Sequence, residues 1–299
     1  MKKQVIFFGN NTWGIHVLRY LLSHGYAVPL VIVPPGIEYA KVMDIRKVLP
    51  KDSKIIEGFH YSALTGIIKS YGDCLLLACS YSAIISKSIV GLGVVNIHGG
   101  ILPYHRGANM LNWAIINSWE KTGITLHYME ETLDSGNIID TIEYPIFSDE
   151  NVNDVKMRMF AKTTELLDKN LPALLSGKAK SSPQDHTLAK YYPKRKLEDG
   201  KIDWHKNAVD IHNLIRALVF PYPGAYCQAG GEEILNRVVI EKACVRIDNK
   251  YHSNPGKIIK INNDNIVVTT GYNLLGITEI RCMLSSKFKL SFKEGDYFE

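Results

Sequence analysis

The first part of the chain alternates short apolar runs with a segment of helical periodicity. The apolar runs span residues 4–9, 28–33, 73–79 and 94–98, and turn-forming residues follow each of them. After Thr12, a candidate N-cap, apolar side chains recur every three or four positions up to residue 22. This alternation predicts a Rossmann-like α/β fold with a doubly wound, mainly parallel sheet. Such sheets bind ligands at the carboxyl ends of their strands.

The middle of the chain continues the mixed pattern and ends in a polar stretch. Residues 109–117 and 151–175 have helical periodicity, whereas residues 123–128 and 137–144 have the pattern of strands. Residues 177–193 are polar and contain two prolines, which is typical of a linker.

The last third of the chain has a different pattern. A helical segment at residues 208–218 precedes short β-like runs at residues 237–240, 256–261, 265–270 and 275–280. Short strands in close succession are typical of sandwiches and barrels. We therefore predict an α/β domain over residues 1–180 and a smaller β-rich, OB-like domain over residues 181–299.

Two polar side chains interrupt the apolar run VVNIH. Asn96 and His98 lie two positions apart, so on a strand they point to the same side, beside the small Gly99 and Gly100. An amide can donate to an oxyanion, and an imidazole can carry a proton. Asp134, in the turn TLDSG, is the candidate for orienting that imidazole. A structural interpretation stays open, with His98 as a hydrogen-bonded core histidine and Asn96 as a strand-end cap.

Composition narrows the class of protein. The chain has 299 residues, of which 46% are hydrophobic and 22% charged, which suits a globular protein with a substantial core. Its net charge of +5 fits an anionic small substrate as well as nucleic acid. Five scattered cysteines without a CxxC pair indicate reduced thiols and argue against a zinc or other metal site. No apolar run has the length of a signal peptide or a membrane span, so we expect a cytoplasmic protein with no membrane partner.

The residues around the fourth apolar run carry a family resemblance. The segments NIHGGILPYHRGANMLNWAI and ETLDSGNII resemble the signature of the 10-formyltetrahydrofolate-dependent formyltransferases, namely Asn-x-His, a Leu-Pro-x-x-Arg-Gly loop and an Asp-x-Gly turn. The segments KRKLEDGKIDWHKNAVDIHNLIRALVFPYPGAYC and PGKIIKINNDNIVVTTG resemble the C-terminal domain of methionyl-tRNA formyltransferases and aminoarabinose-type formyltransferases. Gly100 departs from the family, which often has Ser there, and so does the pair Tyr104-His105, where a Lys-Tyr-like pair is common.

The resemblance implies a reaction and the residues that perform it. The formyl donor would be 10-formyltetrahydrofolate, used as a co-substrate, and the acceptor would be a primary amine. The family's catalytic trio falls on Asn96, His98 and Asp134. Asn96 and His98 would stabilise the oxygen of a tetrahedral intermediate, and His98, tuned by Asp134, would take the amine's proton. The same resemblance places the folate along the segment ACSYSAII and the turn before Asp134, with contacts from Ser80, Tyr81, Ser82, Ile84 and Leu133.

Three amines are candidates for the acceptor of the formyl group. Glycinamide ribonucleotide is disfavoured because its formyltransferases have a single domain, whereas this chain has a long C-terminal half. Methionyl-tRNA enzymes typically carry a basic Gly-Arg loop after the second strand, but residues 33–52 carry only scattered charges. The net charge of +5 is also modest for holding a phosphate backbone, so nucleic acid is disfavoured as a partner. We therefore expect a sugar N-formyltransferase that acts on a UDP- or dTDP-linked amino-dideoxy sugar, with methionyl-tRNA formyltransferase as the alternative.

A nucleotide-linked amino sugar would need cations for its diphosphate and polar groups for its hydroxyls. The candidate contacts are Asn10, Tyr104, Arg106, Lys194 and Arg195. Each also has an ordinary interpretation as a turn residue, a loop brace or a solvated surface charge. Sugar formyltransferases are commonly dimers, so a homodimer is a further expectation. The intact trio argues against a binding module without activity, and the C-terminal runs lack the aromatic and basic pattern of an RNA-binding sheet.

Overall fold

The structure is a computed structural model that describes residues 4–35, 45–57, 61–228, 237–262, 265–282 and 292–299. The chain clusters into two compact units. The first unit comprises Met1–Met110, Thr122–Tyr144 and Met157–Tyr192. The second unit comprises Leu111–Lys121, Pro145–Lys156 and Pro193–Glu299.

Strands and helices alternate in the first part of the chain, and strands dominate the last part. The strands are β1 (Gln4–Gly9), β2 (Ala27–Val33), β3 (Lys54–Glu57), β4 (Leu75–Cys79), β5 (Val94–His98), β6 (Arg106–Gly107), β7 (Lys121–Tyr128), β8 (Ile138–Pro145), β9 (Tyr191–Tyr192), β10 (Ala225–Gln228), β11 (Arg237–Tyr251), β12 (Ile258–Asn262), β13 (Asn265–Thr269) and β14 (Tyr272–Cys282). The helices are α1 (Asn11–Ser23), α2 (Tyr61–Ser70), α3 (Lys87–Val90), α4 (Met110–Ile116), α5 (Val152–Leu175) and α6 (Ala208–Ala217).

A seven-stranded sheet forms the centre of the first unit, in the order β3-β2-β1-β4-β5-β7-β8. Strands β1 to β5 pair in parallel, and β7 pairs with β5 in the antiparallel direction. All five residues of β4 are buried, as expected for a parallel strand that is covered on both faces. The Rossmann-like fold predicted from the sequence is confirmed. The direction of strand order reverses between β1 and β4, where such sheets form a crevice at their carboxyl edge.

Three local features of the first unit differ from the sequence prediction. The edge strand β3 was not predicted, because its run KIIE is short and has only two apolar residues, and the helix α2 was not predicted either. Helix α1 begins at Asn11 with Asn10 as N-cap, two residues before the predicted cap Thr12. The Asn10 side chain itself makes no capping hydrogen bond.

Residues 177–193 are not a plain linker, and that prediction is wrong. Ser182 pairs with Ile138 through two backbone hydrogen bonds of 2.8 Å. Gln184 is buried, and β9 pairs in parallel with β6. The stretch looked like a linker because its contacts are made by backbone groups and polar side chains, which hydrophobic periodicity does not register.

The second unit contains a five-stranded antiparallel sheet in the order β10-β11-β14-β13-β12. The predicted β-rich C-terminal part is confirmed, although β11 is longer than the predicted run and β10 was not predicted. Asn207 caps α6, because its Oδ1 accepts the Asp210 N–H at 2.9 Å. Within the described part of the chain, no helix is long and apolar enough to cross a membrane.

Candidate active site

The candidate site lies at the carboxyl end of β5. Asn96 and His98 alternate along this strand, so their side chains leave the same face of the sheet. Across the antiparallel ladder to β7, Asn96 lies opposite His127 and His98 lies opposite Thr125. His98 is buried, whereas Asn96 is partly exposed. The strand therefore presents an amide that solvent reaches and an imidazole that it hardly reaches.

His98 is held by a backbone carbonyl and faces a carboxylate. Its Nε2 lies 2.6 Å from the His105 carbonyl oxygen, which can only accept, so Nε2 carries a hydrogen. Its Nδ1 lies 3.5 Å from Asp134 Oδ2. If Nδ1 also carries a proton, His98 and Asp134 form an ion pair. If it does not, a lone pair of Nδ1 faces a lone pair of Asp134 Oδ2, which is unfavourable. The two side chains can therefore hold one proton between Nδ1 and Oδ2.

Gly100 allows the loop of residues 101–105 to approach His98. A Cβ at this position would come within 2.6 Å of the His105 carbonyl oxygen and 2.9 Å of His98 Nε2. Burial and the charge of the nearby His98 lower the pKa of His105 to about 4. The departure from Ser to Gly at this position thus accompanies a loop that contacts the imidazole directly.

Asp134 is fixed by its backbone and by Gly107. Its φ of 52° lies in the left-handed region, which Asp tolerates better than most residues. Its Oδ2 accepts the Gly107 N–H at 2.9 Å, and its Oδ1 lies 3.7 Å from His127 Nε2. The carboxylate is buried, so its orientation toward the two imidazoles is set by these contacts.

Arg106 and Gln184 form a buried frame under the Asp134 turn. Gln184 Nε2 donates to the carbonyl oxygens of Asp134 at 2.9 Å and Gly136 at 2.7 Å. Its Oε1 accepts from Arg106 Nε at 3.2 Å and Nη2 at 2.6 Å. Arg106, which is 2% exposed, also donates from Nη1 to the Tyr191 hydroxyl at 2.7 Å. The structure thus places the Arg106 guanidinium in the frame and not open to a substrate.

The residues expected along the folate lie on two segments that an ion pair joins. Ser80 adopts a φ of 57° directly after β4, and the Tyr81 ring packs edge-on against Phe8 with centroids 5.8 Å apart. Lys87 Nζ and Glu131 Oε1 lie 2.6 Å apart and connect the segment after β4 to the Asp134 turn.

Two large apolar side chains are exposed on these segments. Ile84 is 88% exposed and Leu133 is 58% exposed, whereas the neighbouring Ser82 is a polar surface residue. An apolar ring system lying there would cover surface that the protein alone leaves in water.

The remaining candidates fall in different places. Asn10 is buried at the carboxyl end of β1, and Tyr104 is exposed in the loop after β5. Lys194 and Arg195 belong to the second unit. Lys194 is exposed, and Arg195 donates to the Asp199 carbonyl at 2.6 Å with its guanidinium over the Trp113 ring.

Sequence reasoning missed three residues around the trio: His105, His127 and Gln184. His127 had a usable signal, because Thr125 and His127 are alternate polar residues on a predicted strand and so share one face. Gln184 had none, since its partners lie about fifty positions earlier in the chain. Among the described residues, no group of three or more His, Cys, Asp or Glu side chains has the arrangement of a metal site.

Both parts of the chain match known protein families. Residues 36–171 match the family described as formyl transferase, and residues 194–291 match the formyl transferase C-terminal domain. The chain is 30% identical to a methionyl-tRNA formyltransferase of Alkaliphilus oremlandii, over 93% of this chain and 91% of that protein. It is 30% identical to a methionyl-tRNA formyltransferase of Ruminiclostridium cellulolyticum, over 96% of this chain and 94% of that protein.

A solved structure also has a similar fold. It is the N-formyltransferase of Helicobacter canadensis in complex with folinic acid and dTDP-3-aminofucose. The TM-score is 0.67 at 19% identity, with 93% of this chain and 100% of that chain covered.

Proposed function

Because this chain belongs to the formyl transferase family, we propose that it transfers a formyl group from 10-formyltetrahydrofolate to the amino group of methionyl-tRNA. The acceptor rests on one observation, which is the similarity to methionyl-tRNA formyltransferases along nearly the whole of both chains. The chemistry rests on the arrangement of Asn96, His98 and Asp134 at the carboxyl end of β5.

The expectation of a nucleotide-linked amino sugar as acceptor is wrong. Full-length relatives at about 30% identity are methionyl-tRNA formyltransferases, whereas a sugar enzyme matches as a structure at 19% identity, which speaks for the fold alone. A net charge of +5 does not disfavour nucleic acid as a partner, because it is a sum over the chain and does not describe a local surface. Residues 33–52 were expected to carry a basic Gly-Arg loop in a methionyl-tRNA enzyme, but residues 36–44 of this stretch lie outside the described residues.

Asn96 is the residue we assign to the developing oxyanion. Its amide nitrogen carries two hydrogens, and one of them points to His127 at 3.1 Å. The side chain is partly exposed, so the second hydrogen is available to a carbonyl oxygen that gains charge as the amine attacks. Removing such a donor typically lowers the rate by a factor of about 100 to 1000.

His98 and Asp134 are the residues that we assign to proton transfer. The attacking amine must lose a proton, and the nitrogen that leaves must gain one. The His98 Nδ1 and Asp134 Oδ2 pair, 3.5 Å apart and buried, can hold one proton and release it. The hydrogen bond of His98 Nε2 to the His105 carbonyl fixes which nitrogen faces the carboxylate.

10-Formyltetrahydrofolate supplies the formyl carbon as an activated amide. The exposed Ile84 and Leu133 fit its apolar ring surface, because both side chains stand in solvent on segments that Lys87 and Glu131 join. We assign Ser80, Tyr81 and Ser82 to its polar edge, because they follow β4 at the carboxyl edge of the sheet.

The test is formylation of methionyl-tRNA by the wild-type chain and by His98→Ala and Asp134→Ala. The wild type should formylate methionyl-tRNA when 10-formyltetrahydrofolate is present. Both variants should lose most of this activity, although thermal unfolding should show that they are still folded. The control is Lys69→Ala, on the exposed surface of α2, which should keep wild-type turnover. Near-normal turnover by either site variant would contradict the assigned roles.

A further inference from the structure

One buried histidine of the site takes no part in the proton transfer described above. His127 lies on β7 directly opposite Asn96 and is 1% exposed. Its ring meets the His98 ring edge-on, with centroids 6.1 Å apart. A buried imidazole needs partners for both nitrogens, so its contacts determine its protonation.

The contacts of His127 select one tautomer. Its Nδ1 lies 2.8 Å from the Tyr128 carbonyl oxygen, which can only accept, so the hydrogen of a neutral ring sits on Nδ1. Nε2 then holds a lone pair. Burial and the charge of nearby His98 lower the pKa of His127 to about 4, although Asp134 opposes this, so the ring is neutral near pH 7.

This tautomer in turn fixes the amide of Asn96. Asn96 Nδ2 and His127 Nε2 lie 3.1 Å apart, and a lone pair on Nε2 requires a donor there. With the amide rotated by half a turn, Oδ1 would meet the lone pair and the contact would become repulsive. Among the described residues, His127 is the only hydrogen-bond partner of the Asn96 side chain, so no other contact resists that rotation.

We propose that His127 is a positioning residue for formyl transfer: by accepting one N–H of the Asn96 amide, it keeps the second N–H directed toward the reacting carbonyl. The proposal rests on the proposed function, since it concerns the oxyanion contact of that reaction. Protonation of His127 would reverse the arrangement. Asp134 Oδ1 lies 3.7 Å from Nε2, so an N–H there would turn to the carboxylate and would repel the amide.

The first experiment compares His127→Leu with His127→Gln. Leu removes the acceptor, whereas the Oε1 of Gln can accept from Asn96 near the position of Nε2. We expect His127→Leu to lower kcat by a factor of about 10 to 100, with KM for both substrates within about twofold of wild type. His127→Gln should keep most of the wild-type kcat. His16→Gln, at a histidine stacked on Phe160, is the control and should leave kcat unchanged.

A double-mutant cycle separates positioning from general packing. If His127 acts through Asn96, then His127→Leu should lower kcat by less than about twofold in an Asn96→Ala background. Equal losses in the wild-type and Asn96→Ala backgrounds would overturn the proposal, and so would a His127→Gln variant as impaired as His127→Leu.

A second measurement does not depend on activity or on the leucine variant. Nitrogen-15 spectra of the histidine rings report which ring nitrogen carries the hydrogen. In the wild type near pH 7, His127 should be neutral with its hydrogen on Nδ1, and an Nε2–H tautomer or a protonated ring would overturn the proposal. If the wild type fails to formylate methionyl-tRNA, the proposed function is refuted, while these spectra still decide how Asn96 is oriented.

Discussion

Replacing Gln184 tests whether the segment after α5 supports the active site. Gln184→Leu would remove both N–H donors to the carbonyls of Asp134 and Gly136 and the acceptor for Arg106. Gln184 is 7% exposed, so water replaces these partners poorly. Each buried group left without a partner costs about 1–3 kcal/mol, and a charged group costs more. We therefore expect the free energy of unfolding to fall by about 3–6 kcal/mol.

The assay is urea unfolding at constant protein concentration, together with formylation kinetics on the folded fraction. Gln184→Glu distinguishes the two sets of hydrogen bonds that Gln184 makes. The variant keeps oxygen acceptors for Arg106 but loses the N–H donors to the carbonyls of Asp134 and Gly136. It should be destabilised less than Gln184→Leu but should lose activity, since the backbone carbonyl of Asp134 loses its hydrogen bond and the Asp134 turn is held less firmly. Gln4→Leu, at the exposed start of β1, is the control and should change stability by less than about 0.5 kcal/mol. If the Gln184→Leu protein were within about 1 kcal/mol of the wild type, the hydrogen bonds of Gln184 would not stabilise the Asp134 turn as proposed.

Three further changes have expected outcomes. Gly100→Ala places a Cβ 2.6 Å from the His105 carbonyl oxygen, so it should destabilise the protein by about 1–3 kcal/mol and lower kcat, as urea unfolding and kinetics would show. Ile84→Asp should raise KM for the folate about tenfold, equivalent to about 1.4 kcal/mol of lost apolar contact, with an unchanged Tm because the side chain is 88% exposed. Below pH 6.5, the unfolded chain binds more protons than the native one, because the pKa of His127 is lowered from 6.5 to about 4. Urea unfolding should therefore show that the free energy of unfolding decreases by about 1 kcal/mol per pH unit as the pH is lowered between these values, with His105 acting in the same direction, and a flat profile would contradict the burial of His127 as the cause.

Hydrophobic periodicity predicted the architecture because the central strands of the parallel sheet are largely apolar. The runs at β1, β2 and β4 are nearly continuous, only Asn96 and His98 interrupt the run at β5, and the structure reproduces all four within a few residues. Strand alternation also predicted that Asn96 and His98 share a face. What periodicity could not supply is the partner of each group, because the contact of Gln184 with Asp134 depends on polar atoms that are distant in the chain.

The acceptor is harder to predict than the class of reaction. Asn96, His98 and Asp134, the residues that we assign to formyl transfer, would act in the same way on different amines, so they indicate the reaction and not the substrate. Total charge was the wrong quantity, because binding to a phosphate backbone depends on where cations lie. Similarity over the whole chain carries the information that a short motif does not.

The proposed acceptor is tested most directly by a competition among acceptors, read by mass spectrometry. The wild-type chain is incubated with 10-formyltetrahydrofolate and an equal mixture of methionyl-tRNA, free methionine and dTDP- and UDP-linked amino sugars. Each acceptor is then examined for the mass gain of one formyl group, after nuclease digestion in the case of the tRNA. If methionyl-tRNA is the acceptor, the methionine attached to tRNA should rapidly gain a formyl group, whereas free methionine should gain none. A formyl gain on an amino sugar with none on methionyl-tRNA would contradict the proposed function.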